Sequence, residues 1–125
     1  MTPLAPSTVA QIARHQARVS PACPVSSVKW LVAGGWRNRL AERAGATGKY
    51  SAWHDAVCVY EYQANMAGDV MMAPTWTHEL THAAQRRRIG ILGYLAAKTA
   101  LRHKLEAEAV AEERRAQTIL KVGVL

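Results

Sequence analysis

Cysteine is scarce in this chain: Cys23 and Cys58 are the two among its 125 residues. They form no C-x-x-C pair and are too few for a disulfide framework, so both read as ordinary buried thiols. Long apolar runs are missing as well. No stretch reaches the roughly 20 residues that a membrane-spanning helix needs. Residues 1–10 lack the basic and then apolar pattern of a secretory leader. A cytoplasmic protein is the expectation, and a phage or mobile-element product released by lysis would look the same. Acidic residues are also in short supply, 9 against 16 Lys and Arg, for a net charge of +7. Such a balance suits anionic partners, nucleic acid among them. Yet the excess is spread along helix-forming stretches (Arg37, Arg39, Arg43; Arg86, Arg87, Arg88; Arg114, Arg115), where a solvated face explains it, and no nucleic-acid recognition pattern accompanies it. There is no internal repeat and no low-complexity tail, which excludes a repeat architecture.

What is present is an ordinary globular composition, 50% apolar and 20% charged, in a length that suits one domain over residues 1–125 with one modest core. Residues 1–6 carry two prolines and read as a loose arm. Ser7 or Thr8 can then cap a helix to about Arg18, and residues 20–24 break it. Residues 28–33 and 36–44 are apolar-rich segments split by Gly34 and Gly35, read as a strand or short helix followed by a helix. Residues 56–62 (AVCVYEY) are rich in β-branched and aromatic residues. With residues 69–72 after the turn-like 65–68, they read as a β-hairpin. Pro74 is tolerated in the first turn of a helix that runs to Gly90, and residues 91–120 are helix-forming throughout. The fold class expected is α+β, mostly helical, with a small hairpin before the helix of residues 74–90.

That helix carries His78-Glu79-Leu80-Thr81-His82, the pattern H-E-x-x-H. Residues four apart share a helix face, so both imidazoles can direct a nitrogen to one Zn²⁺. Glu79 lies one residue further round, close enough to take a proton from a water activated by the metal without itself binding the metal. The bland alternative is an amphipathic helix with two exposed histidines.

The stretch HELTHAAQRRRIG, followed by EAEA at residues 106–109, resembles the compact HExxH metallopeptidase-like proteins of bacterial and phage genomes, in which H-E-L-x-H-x-x-Q precedes a helix bearing E-x-E-A. It is similar to a reduced zincin core of the minigluzincin kind, shared by gluzincins and the ImmA/IrrE-type peptidases. The likeness spans roughly residues 57–116. It implies a zincin-like fold, one zinc ion, hydrolysis of protein or peptide chains with Glu79 as general base, and a third ligand, Glu108, on a later helix. Glu106 is the runner-up, and Glu112 is a neighbour or substitute. Zincins often bind extended peptide along a strand, for which residues 57–62 or 70–72 are the expected candidates. Tyr60, Tyr62 and Tyr94 are candidates to stabilise an oxyanion, although core packing explains each of them. Met66, Met71 and Met72 read as core. The contrasting expectation is a phage virion or accessory protein in which zinc only staples a small fold.

Chain geometry adds a constraint. A single straight helix returning from Gly90 would bring Lys98 level with His82 and carry Glu108 about 15 Å too far. Either the chain bends or crosses within residues 91–105, or another group such as His103, His54 or Asp69 completes the site. His15 reads as a surface histidine.

Overall fold

The computed structural model describes residues 1–19 and 23–124; most of the break expected at residues 20–24 lies outside them. Four strands form one mixed sheet: β1 (Thr2–Pro3), β2 (Lys29–Ala33), β3 (Gly48–Ser51) and β4 (Ala56–Tyr60), in the order β1-β2-β4-β3. β4 runs parallel to β2 and antiparallel to β3, while β1 is antiparallel to β2. Four α-helices, α1 (Pro6–Val19), α2 (Gly35–Ala44), α3 (Ala73–Ala100) and α4 (Arg102–Val124), and three short 3-10 turns complete the described fold. The α+β class is as the sequence implies, and none of these helices is long and apolar enough to cross a membrane.

Two expectations are corrected. Residues 1–6 are not a loose arm: β1 pairs with β2, and the buried Leu4 donates its N–H to the Trp30 carbonyl at 2.9 Å. Nor does the hairpin partner of β4 follow it in sequence; it precedes it, as β3. Asp69 instead accepts the Met71 N–H at 2.8 Å and caps a 3-10 turn over Val70–Met72, a local use of the backbone that competes with strand pairing. β4 is already paired on both sides, so it offers no free edge, and the outer edge of the sheet at this end belongs to β3. Both faces of β4 are covered, which is why Ala56, Val57, Cys58 and Val59 are all buried instead of alternating.

The core lies between the sheet and the first half of α3. Trp30 and Trp76 meet edge to face with centroids 5.6 Å apart, and each indole N–H is satisfied, by the Val25 carbonyl at 3.0 Å and the Ala67 carbonyl at 2.9 Å. Buried Gln16 on α1 donates to the Ala73 carbonyl at 2.7 Å and accepts from the Thr77 hydroxyl at 3.0 Å, which anchors the start of α3. Met66 and Met71 are exposed rather than core, while Met72 packs against the core.

Gly90 interrupts α3 with φ 77° and ψ 165°, a conformation open essentially to glycine alone. The chain folds back over residues 91–100, which returns Tyr94 to a position 6.4 Å from the His82 ring, centroid to centroid. A second break at Leu101 starts α4, which packs chiefly on α3. The bend required by chain geometry is thus present.

β3 approaches α3 closely because residue 48 is glycine: a Cβ there would sit 2.6 Å from the Trp76 ring and 3.0 Å from the Cys58 carbonyl oxygen. Gly48→Ala is expected to lower stability by about 1–3 kcal/mol, the usual range for overpacking. Urea unfolding measures it, and an unchanged midpoint would contradict this packing.

Candidate metal centre

His78 and His82 occupy one face of α3, with rings 5.0 Å apart between centroids. α4 lays Glu106 across both. One carboxylate oxygen lies 3.0 Å from His82 Nε2 and the other 3.2 Å from His78 Nε2. One ligand atom from each of the three residues falls within a 4.8 Å group that can hold a metal ion. A cation bound tetrahedrally at about 2.0–2.1 Å would space its ligand atoms roughly 3.3 Å apart, close to the two distances found.

The other ring nitrogens decide the protonation pattern. His82 Nδ1 is 2.9 Å from Gln85 Oε1, and His78 Nδ1 is 2.8 Å from Glu113 Oε1. The Gln85 amide cannot be reversed, because its nitrogen donates to the Leu105 carbonyl at 3.0 Å and to Glu108 at 2.7 Å. Both Nδ1 atoms therefore donate, to an amide oxygen and to a carboxylate. In the neutral rings this leaves two bare Nε2 lone pairs directed at a carboxylate. Protons on both Nε2 atoms, or a metal cation in their place, would link the three groups. The acceptors on Nδ1 also fix ring orientation, as partners of ligating histidines commonly do.

The structure brings Glu106, not Glu108, to the histidines. On α4 the buried residues Ala109, Ala116 and Leu120 mark the inner face, and Glu106 and Glu113 fall on it at offsets of three and four from Ala109. Glu108, two residues after Glu106, is turned away by about 200° of helix rotation. It accepts from Gln85 and Arg88, hydrogen bonds that hold its carboxyl below the usual range. The remaining alternatives are elsewhere. Glu112 pairs with Arg115 at 3.1 Å, His54 is exposed beside the Ser51 hydroxyl, His103 is exposed, and Asp69 caps its turn.

Glu79 faces the same cleft, a cavity of about 210 Å³ also lined by Tyr50, Tyr60, His78, His82, Tyr94 and Glu106. Its Oε1 accepts the Tyr50 N–H at 2.8 Å. Burial raises its pKa, against the lowering effect of that hydrogen bond and of the two histidines. Tyr94 is pushed up to about 12 by burial and by the charges of Glu79 and Glu106, and stays protonated in neutral solution. Tyr62 is spent on the Ala46 carbonyl.

Sequence reasoning gave Glu113 no role in positioning His78. Its signal is the seven-residue offset from Glu106, two turns along one helix face. Gln85 sits at the glutamine of H-E-L-x-H-x-x-Q, and the structure supplies its task. Comparison of the chain with protein-family models, with curated proteins and with solved structures returned no match.

With Zn²⁺ as the probe, isothermal titration is expected to show a loss of roughly 100-fold or more in affinity for Glu106→Gln, which removes a charged ligand. Gln85→Leu or Glu113→Gln should cost about 10–100-fold by freeing a histidine ring. Glu108→Gln should cost less than either. Equal losses for Glu106→Gln and Glu108→Gln would contradict the assignment.

Proposed function

We propose that the protein is a zinc-dependent peptidase of the compact HExxH, zincin-like kind, acting on protein or peptide chains in the cytoplasm or as a phage product. One observation carries the reading: two imidazole nitrogens and a carboxylate converge in a cleft that also holds a fourth group, the Glu79 carboxylate, outside the ligand set. Two imidazoles with one carboxylate suit zinc, which when bound supplies a Lewis acid that polarises a carbonyl and makes water nucleophilic near neutral pH.

The chain's own groups do the rest. Glu79 is the general base: the Tyr50 N–H pins its Oε1, which leaves Oε2 to take a proton from the attacking water and return it to the leaving amine. Its raised pKa strengthens that proton affinity. Tyr94, neutral and lining the cleft, is placed to donate a hydrogen bond as negative charge builds on the substrate carbonyl oxygen. His78 and His82 are held in one orientation by Glu113 and Gln85, so little reorganisation accompanies the reaction.

A second reading has an observation of its own. The same residues knit α4 to α3, through Gln85 with Leu105 and through both histidines with Glu106, so a metal here can act as a staple in a protein that turns nothing over, such as a virion or accessory component. Substitution of Glu79 separates the two. Glu79→Gln keeps an oxygen for the Tyr50 N–H but cannot accept a proton, so it should retain zinc and fold while peptide hydrolysis falls by at least about 100-fold. Mass spectrometry of peptide digests reads the outcome. Wild-type rates in the variant would remove Glu79 as the base, and absence of turnover in the zinc-loaded wild type would favour the staple.

A further inference from the structure

We infer that the groove leading from the candidate metal centre selects acidic peptide segments, with Lys49 and Lys98 as the specificity-determining residues. The fate of the bound peptide rests on the hydrolase reading, whereas the recognition itself does not.

Two cavities adjoin at β3, the outer strand of the sheet. The smaller, about 210 Å³, contains the candidate metal centre, and the larger, about 420 Å³, extends past Arg37, Trp53 and Cys58. Lys49, Tyr50, Tyr60 and Lys98 line both, so the two cavities share a wall at these residues. Its charge has one sign along the larger part, where Arg37, Lys49 and Lys98 line the wall and no Asp or Glu does. Arg102 adds a fourth cation in the smaller part. Among the described residues, none of these four makes an ion pair; the paired arginines are Arg87, Arg88 and Arg115. Burial lowers the pKa of Lys98, as do the nearby charges of Lys49 and Arg102, against the raising effect of Glu106 and Glu79 in the smaller cavity. Like charges gathered in a partly enclosed groove repel one another and focus a positive potential that an anionic ligand relieves.

The edge of β3 favours a peptide as that anion. The Tyr50 N–H points out of the sheet but is taken by Glu79, so the outward main chain left for an extended peptide is that of Gly48, two residues earlier, which faces the same way. An extended backbone can pair there, and an acidic side chain on it meets Lys49 and Lys98. Trp53, 73% exposed at the wall of the larger cavity, offers an apolar face further along. A nucleic-acid strand would engage the cations but leave the strand edge unused.

Fluorescence anisotropy on the zinc-loaded full chain carrying Glu79→Gln tests this, because that variant should hold a peptide without cutting it. The probes are a labelled Glu-rich peptide, its Gln-for-Glu counterpart and a single-stranded oligodeoxynucleotide. At low salt the Glu peptide should bind about tenfold tighter than the Gln peptide, with the advantage shrinking as ionic strength rises. Adding Lys49→Gln and Lys98→Gln should reduce the advantage to less than about twofold, while Lys49→Arg with Lys98→Arg should keep it. Equal binding of the two peptides, a preference that survives the double Gln variant, or tighter binding of the oligonucleotide through the same lysines would overturn the inference. Digestion of both peptides by the zinc-loaded wild type separates the two claims. Preference without cleavage supports the groove and counts against the hydrolase, and cleavage without preference does the reverse.

Discussion

The meeting of His78, His82 and Glu106 is the constraint around which the second half of the chain is arranged. One ligand atom from each of the three groups lies within 4.8 Å of the others, and the hydrogen bonds on both Nδ1 atoms turn both Nε2 atoms toward Glu106. Either protons on the two Nε2 atoms, pairing with the Glu106 carboxylate, or a metal cation in their place can hold this arrangement together. Two breaks in the helical chain, at Gly90 and Leu101, serve it by bringing α4 back across α3 at the level of the histidines. The hydrogen bonds from Gln85 to Leu105 and Glu108 hold the same crossing from the other side.

The sheet serves the site less directly. Its order leaves β3 as the edge beside α3, and glycine at position 48 allows the close approach that lets the Tyr50 N–H reach Glu79. One residue thereby links the strand edge, where a peptide is proposed to lie, to the proposed proton acceptor. Tyr50 is itself fixed by its hydroxyl, which donates to Asp55 at 2.6 Å, and Asp55 is paired with Arg87 on α3 at 2.9 Å. The route from the hairpin to the motif helix is therefore polar as well as apolar, and it runs through residues outside the H-E-x-x-H pattern.

Much of this was legible in the sequence where local rules dominate. The motif helix, its proline-tolerant start and its glycine break follow from capping and periodicity, and the fixed spacing of His78 and His82 places both on one face. Rise per residue left two choices, a bend within residues 91–105 or a different third group, and the chain shows the bend. What failed was non-local. Residues 69–72 have strand-like composition, but strand pairing depends on which edges of β4 are free, and β2 and β3 had taken both. That Glu106, and not the expected Glu108, lies beside the histidines has a related cause. In a helix with many interleaved charges the inner face is marked only by Ala109, Ala116 and Leu120, and two of those three are alanines that carry little apolar signal. Reading that face would have favoured Glu106 and drawn attention to Glu113, seven residues on.

X-ray absorption spectroscopy at the zinc edge, on the full chain loaded with one equivalent of Zn²⁺, tests the central claim most directly. A four-coordinate ion with two imidazole nitrogens and oxygen in the remaining positions, all at roughly 2.0–2.1 Å, is expected, with loss of one imidazole contribution in either His78→Ala or His82→Ala. Zinc that fails to bind, a sulfur contribution near 2.3 Å, or a spectrum unchanged by both histidine substitutions would contradict it.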